Sequence, residues 1–280
     1  LGRLKALAVD TGVPVTFGVF SRRYAPDLWR RYLSTIDETA AAGGRMFAQV
    51  HSRSINVVLS FQTVTPFDKM PVWRDIRKLP LAEQEAKLRD PDIRRQLVEA
   101  VQQTPRENQS VGAEPRRANF KWLLVMDKPT PPYRSLAEIA EAQNKDPVEV
   151  FIDLSLEKNL KQFFLQPLVN ENEEYALEMM KHPRAVVTFS DSGAHVSQIM
   201  DSSLQTHLLS YWVRDKQAVT LEEAVRMLSF VPASHWGLVG RGLLREGWNA
   251  DVVIFNPDTI APMMPELAYD LPAGARRLKQ

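Results

Sequence analysis

Cysteine is absent from the 280 residues, and its absence removes several chemistries at once. Disulfides, thiolate-held zinc, iron–sulfur clusters and thiol nucleophiles all need sulfur that this chain does not carry. A cysteine-free chain is compatible with a reducing compartment, so a cytoplasmic protein is the expectation. Excess charge is lacking too: 35 Lys and Arg against 34 Asp and Glu leave a formal net charge of +1. Nucleic acids and anionic membranes are held by clustered Lys and Arg, so neither is expected as a partner. The longest apolar runs fall far short of the ~18 residues that a membrane-crossing helix needs. No phosphate loop, GxSxG elbow or HExxH pair occurs, and there is no internal repeat. An initiator Met and a signal-peptide core are also missing. Leu1, Leu4, Leu7 and Ala8 fall at helical spacing, so the chain opens inside an amphipathic helix. The expectation is a segment of a longer protein.

What is present is ordinary globular material, 44% hydrophobic and 25% charged. At ~150 residues per domain, the length suggests two domains or one large α/β barrel with an appendage. Val13 to Phe20 is rich in β-branched and aromatic residues and predicts a buried strand. Trp29 to Ala42 predicts a helix with Trp29, Leu33, Ile36 and Ala40 inward, stopped by Gly43-Gly44. Met46 to Val50 is the next strand, giving the strand–helix–strand grammar of a parallel sheet. Residues 63–135 break the rhythm with nine prolines between Pro66 and Pro132. They read as an insertion, either an excursion over a functional face or inert surface. Within them, Pro91 to Gln103 is helical by spacing and Trp122 to Met126 is a short strand.

Regularity returns with a capping box at Ser135 and Glu138, an N-cap with Pro at Asp146-Pro147, and a further box at Thr220 and Glu223. Strands are expected at 163–165, 185–189 and 251–255. Four segments, 14–20, 46–51, 162–166 and 185–190, have the character of barrel strands, half the eight of a closed (β/α)8 barrel.

Candidate chemistry lies at two strand ends. Asp191 follows a buried strand in Ser190-Asp191-Ser192-Gly193-Ala194-His195. In α/β barrels that is where catalytic groups sit, so Asp191 is placed as a metal ligand or general base, or else as the cap of the next turn. His51 and Arg53 follow the second strand. A histidine there can ligate metal and an arginine can clamp a carboxylate, the alternative being a solvated polar loop. His182, His207 and His235 sit at helix ends or in apolar runs and read as structural, His207 as a satisfied core histidine.

Val186 to Thr259 resembles the C-terminal part of the amidohydrolase superfamily, in its N-acyl-D-amino-acid deacylase (D-aminoacylase-like) branch. The motifs are SDSGAH at 190–195 and GRGLLREGWNADVVIFN at 240–256. AQVHSRSINVVLSFQ, LRDPDIRRQL and KHPRAVVTFSD look like the same branch, so the likeness covers most of the chain. It implies a TIM-type (β/α)8 barrel, here only the later strands, at 1–240 with the insertion 63–135. Residues 241–280 would supply part of a flanking β-sandwich domain. It implies a divalent metal, usually zinc, and hydrolysis of an N-acyl C–N bond in an N-acyl amino acid or related amide. Asp191 would bind that metal and carry the proton to the leaving amine. His51, Arg53 and His195 would hold the substrate. Two departures stand out: the family's His-x-His motif occurs nowhere, and Gly18 stands where D-aminoacylases place a histidine. The expectation is therefore an incomplete site, in a segment inactive by itself. The alternative is a non-catalytic amidohydrolase-like scaffold or small-molecule binder. A homo-oligomer is left open.

Overall fold

The computed structural model describes residues 1–104, 118–190, 192–193, 195–199 and 201–280. In chain order the elements begin α1 (Gly2–Thr11), β1 (Val15–Gly18), α2 (Leu28–Ala41), β2 (Met46–Val50) and β3 (Ile55–Leu59). Next come α3 (Pro71–Arg77), α4 (Leu81–Arg89), α5 (Pro91–Gln103) and β4 (Leu124–Val125). Then follow α6 (Leu136–Gln143), α7 (Pro147–Glu157), β5 (Phe164–Val169), α8 (Glu173–Met180) and β6 (Ala185–Val187). The last are α9 (Leu204–His207), a π-helical turn over Leu208–Asp215, α10 (Leu221–Leu228), α11 (Phe230–His235), β7 (Glu266–Leu271) and β8 (Ala275–Lys279). No described helix is long and apolar enough to cross a membrane.

These elements divide into two compact units. The first comprises residues 1–55, 168–191 and 201–263, and the second 56–167, 192–200 and 264–280. The sheet of the first unit is parallel, in the order β1-β2-β6, with Val15 opposite Met46 and Val50 opposite Val187. Its alternating residues Met46, Ala48 and Val50 are fully buried and pack with Trp29, Leu33 and Ile36 of α2. That is the period-2 face of a strand meeting the 3.6-period stripe of a helix. The same core takes in Leu208, Leu209, Tyr211 and Trp212 of the π-helical turn and Ala224 and Met227 of α10.

The second unit is built around aromatic rings. Phe67 and Trp73 have ring centroids 4.6 Å apart, Phe151 and Phe164 4.5 Å, and Phe61 and Phe151 5.5 Å. The Trp73 indole is satisfied by the Leu97 carbonyl at 3.1 Å, as a buried N–H requires. So residues 63–135 include a packed helical layer, α3 to α5, on this aromatic core. Two of the unit's caps are those expected: Ser135 forms a reciprocal capping box with Glu138, and Asp146 accepts from Val148; Asp90, which accepts from Asp92 and Ile93, adds a third. The sheet of this unit runs β3-β5-β4 with β4 antiparallel to β5, and β7 and β8 form a separate antiparallel hairpin.

Several expectations need correction. Among the described residues the strands make two three-stranded sheets and one hairpin. The expected barrel strands shorten to 15–18, 46–50 and 185–187, and the one at 162–166 moves to 164–169. Asp251 to Phe255 forms no strand, because no strand lies alongside it; Val253 and Ile254 are 83% and 93% exposed. Leu4 and Leu7 face outward from α1, and Ala8 supplies its buried contact. At Thr220 the hydroxyl caps Glu223, but the Glu223 carboxylate pairs with Arg226 instead of closing the box.

Truncating Phe151→Ala removes the ring at the centre of the aromatic core and is expected to cost about 3–5 kcal/mol. Urea denaturation followed by tryptophan fluorescence measures this, and a loss under about 1 kcal/mol would show that the rings merely touch.

Candidate functional site

Parallel pairing brings the C-terminal ends of β1, β2 and β6 to one edge of the first unit's sheet. β2 ends at Val50 and delivers His51, Ser52 and Arg53, all of them buried. The loop is fixed by its middle residue. The Ser52 hydroxyl donates to the Leu204 carbonyl at 2.7 Å, and the Trp212 indole N–H donates to the Ser52 carbonyl. His51 turns back on its own loop, with Nδ1 3.2 Å from the Arg53 amide nitrogen and 3.1 Å from the Arg53 carbonyl.

The same hydrogen bonds tie this loop to α9 and the π-helical turn, which supply a third basic side chain. His207, 1% exposed, lies with its ring centroid 5.0 Å from that of Tyr211. Burial holds its pKa well below the usual histidine value, and the positive charge of Arg53 and the neighbouring His51 push it the same way. The imidazole is therefore neutral, and neither ring nitrogen has a hydrogen-bond partner among the described residues. An unsatisfied buried polar group costs about 1–3 kcal/mol. His207 is thus core, as expected, but not satisfied. The sequence signal for it was only a polar residue in an apolar stripe, which most core histidines share.

Two more buried polar residues mark the strand ends. Asn170, just past β5, accepts the Ser21 amide at 2.9 Å through Oδ1, while its Nδ2 has no partner among the described residues. The adjacent Glu171 pairs with Arg23 at 3.1 Å. Neither Ser21 nor Asn170 was singled out from the sequence, since a single Ser or Asn after a strand is the commonest of turn signals.

At the end of β1 the observation is steric. A Cβ built on Gly18 would lie 2.6 Å from Phe20 Cε2 and 3.3 Å from Phe189 Cε2. Those two rings pack edge to face, 4.6 Å apart. The space over Gly18 is thus filled with aromatic carbon, and no larger side chain fits there without moving it. Among the described residues no three His, Asp or Glu side chains come together in a way that could hold a metal ion. Asp191, the expected catalytic and metal-binding residue, lies outside the described residues. His195 belongs to the second unit, where its carbonyl accepts from Gln198 and Ile199 at 2.9 Å each. His182 is structural, with Nε2 3.2 Å from Asp37, and His235 packs against Phe47 and Trp236.

A sequence profile described as the amidohydrolase family matches residues 87–273, more than half of the chain. The chain belongs to that family. Within the amidohydrolases it is similar to an N-acyl-D-aspartate deacylase of Alcaligenes xylosoxydans xylosoxydans, 38% identical over 55 residues. That match covers 20% of this chain and 11% of the relative. An N-acyl-D-glutamate deacylase of the same organism is 44% identical over 55 residues, with the same coverage. Among solved structures, the N-acyl-D-glutamate deacylase of Bordetella bronchiseptica, complexed with zinc and a phosphonate inhibitor, superposes with a TM-score of 0.47 at 18% identity. The superposition covers 93% of this chain and 44% of that one. A D-aminoacylase with a binuclear metal centre gives 0.46 at 15%, covering 91% and 43%. This amidohydrolase chain thus spans less than half the length of those structures.

The neutral buried imidazole has a consequence for stability. Above about pH 6.5 His207 is neutral both folded and unfolded, and contributes no slope. As the pH falls below that value, the unfolded chain takes up a proton that the folded one refuses, and stability is lost. The melting temperature is expected to fall between pH 7 and 5, and less steeply in His207→Leu. Parallel melting curves for the two proteins would show that His207 is not the responsible group.

Proposed function

We propose that the protein is an amidohydrolase that cleaves the N-acyl C–N bond of a small substrate bearing a carboxylate, an N-acyl amino acid being the class. The parallel sheet β1-β2-β6 is read as the later part of a (β/α)8 barrel, and the β7-β8 hairpin as part of a flanking β-sandwich. One observation carries the substrate reading. Arg53, His51 and His207 are buried together at a strand's C-terminal end, close enough for the first two to depress the third's pKa. A buried guanidinium beside a neutral imidazole with an N–H to give matches the two oxygens of a carboxylate. In this reading Asp191 takes the proton from the water that adds to the acyl carbon. It returns that proton to the amine nitrogen as the C–N bond breaks, leaving a free amine and a carboxylic acid. His195 would contact the substrate.

A divalent metal, zinc in the Bordetella relative, is the cofactor this reading calls for. The described residues do not fit it: no three donors converge, and aromatic carbon fills the space over Gly18. No step is therefore assigned to it, and the missing donors are read as lying outside these 280 residues. The same two observations favour a second reading, a non-catalytic small-molecule binder that keeps the carboxylate pocket and lacks the hydrolytic centre.

Two measurements separate these readings. The purified 280-residue chain is expected to retain no stoichiometric zinc by elemental analysis and to hydrolyse no N-acetyl-D-amino acid. Full zinc with turnover would overturn the incomplete-site reading. In a longer, active version Asp191→Asn is expected to abolish hydrolysis with an unchanged circular dichroism spectrum. Arg53→Lys, which loses the bidentate fork, is expected to raise KM about tenfold while leaving kcat within about threefold. If no version of the protein turns over, yet the chain binds an N-acetyl-D-amino acid through Arg53, the binder reading holds.

A further inference from the structure

The second unit carries a cleft that the proposed reaction does not use. It has a volume of about 530 Å³ and lies among the loop 61–63, α3, the start of α4 and the β7-β8 hairpin. Two arginines meet there. Arg77 donates to the carbonyls of Phe61 and Thr63, to Gln84 Oε1 at 2.7 Å and to Asp68 at 3.1 Å. Arg276, from β8, donates to the carbonyls of Gln62 at 3.0 Å and Thr63 at 3.4 Å. Two guanidiniums thus converge on one carbonyl oxygen, that of Thr63. Arg74 and Lys78 extend the positive lining.

Charge balance distinguishes this cleft from a larger one in the same unit. In that one, of about 860 Å³, Arg94 and Lys145 both bond Asp153, at 2.6 and 2.9 Å, Glu157 adds a second carboxylate, and the third cation, Arg89, pairs with Glu85 at 2.8 Å. In the smaller cleft four cations face one lining carboxylate among the described residues, Asp68, which Arg77 and the Thr65 hydroxyl already engage. Asp75, off the lining, reaches only the exposed heads of Lys78 at 3.4 Å and Arg74 at 3.9 Å. Burial of Arg77 and the nearness of Arg276 both disfavour the Arg77 charge, which Asp68 partly restores. Arg276 makes its two bonds with neutral carbonyls and keeps further N–H donors of the five a guanidinium has. Cations in excess of carboxylates around a concave surface are a site for an anion, and a dianion offsets them better than a carboxylate does. The lining also includes Leu79, Leu81 and the exposed ring of Tyr269, an apolar surface that a free inorganic ion would not use.

We propose that this cleft binds a small phosphate monoester, with Arg276, Arg74 and Lys78 holding the phosphate and Leu79, Leu81 and Tyr269 contacting its organic part. The site is separate from the carboxylate pocket, and it stands or falls independently of the hydrolase reading. The test is calorimetric titration of the full 280-residue chain with phenyl phosphate, inorganic phosphate and sodium chloride at matched ionic strength. Phenyl phosphate is expected to bind with saturation, about tenfold tighter than inorganic phosphate. Arg276→Gln is expected to weaken it about tenfold. Because Arg276 also holds the 62–63 loop, the double variant Arg74→Gln/Lys78→Gln, altered only at exposed heads, carries the same test without risk to the fold. Equal affinity for the two phosphates would remove the ester from the proposal. Heat no greater than that of chloride, or unchanged binding in the double variant, would overturn the site.

Discussion

The pairing of β2 with β1 on one side and β6 on the other governs the first unit. Because both ladders are parallel, the three strands end at one edge, and whatever follows Val50 emerges beside whatever follows Val187. Parallel strands need buried faces on both sides, and here α2 covers one while the π-helical turn and α10 contribute to the same core. The loop after β2 is consequently drawn inward. His51 and Arg53 become buried polar groups that must find partners within the protein or bring in something that supplies them. Ser52 makes the arrangement rigid, since its hydroxyl and carbonyl are both engaged by the segment that carries His207. A strand end, a serine bond that spans 152 positions and a widened helical turn thus bring three basic side chains together.

The two clefts of the second unit show how proteins place positive charge. Where each cation meets a carboxylate, as around Asp153, the result is a tie between helices. Where arginines share carbonyl acceptors, as at Thr63, charge is left over. A carbonyl satisfies the donor but not the field. Counting hydrogen bonds alone makes Arg276 and Arg94 look alike, since each makes two. Counting compensating charge separates them.

Much of the local structure was legible in the sequence because it is decided locally. Ser135 and Asp146 cap the helices they announce, since a side-chain oxygen reaching its own N2 or N3 amide needs nothing distant. The strands at Met46 and Ala185 came from apolar runs that the core then confirmed. What failed depended on partners. Asp251 to Phe255 has the composition of a strand, but a strand is made by its neighbour, and composition does not supply one. Leu4 and Leu7 have helical spacing, yet the stripe that spacing defines is only as buried as the surface it meets. His207 was legible as a core residue and illegible as an unsatisfied one, because its environment is set by Arg53, more than 150 positions earlier in the chain. Likewise Gly18 was recognised as a departure, while the aromatic pair that fills the space above it became visible only in three dimensions.

The unpaired run Val252-Val253-Ile254 bears on how the chain behaves in concentrated solution. It presents consecutive β-branched side chains to water on a backbone with no ladder of its own, the composition that self-associating strands share. Its borders temper this. Asp251, ion-paired with Arg241, closes one end with charge, and Pro257 ends the other three residues on. These are gatekeepers, residues that tax stacking without touching the fold. Removing either would alter solubility before it altered stability.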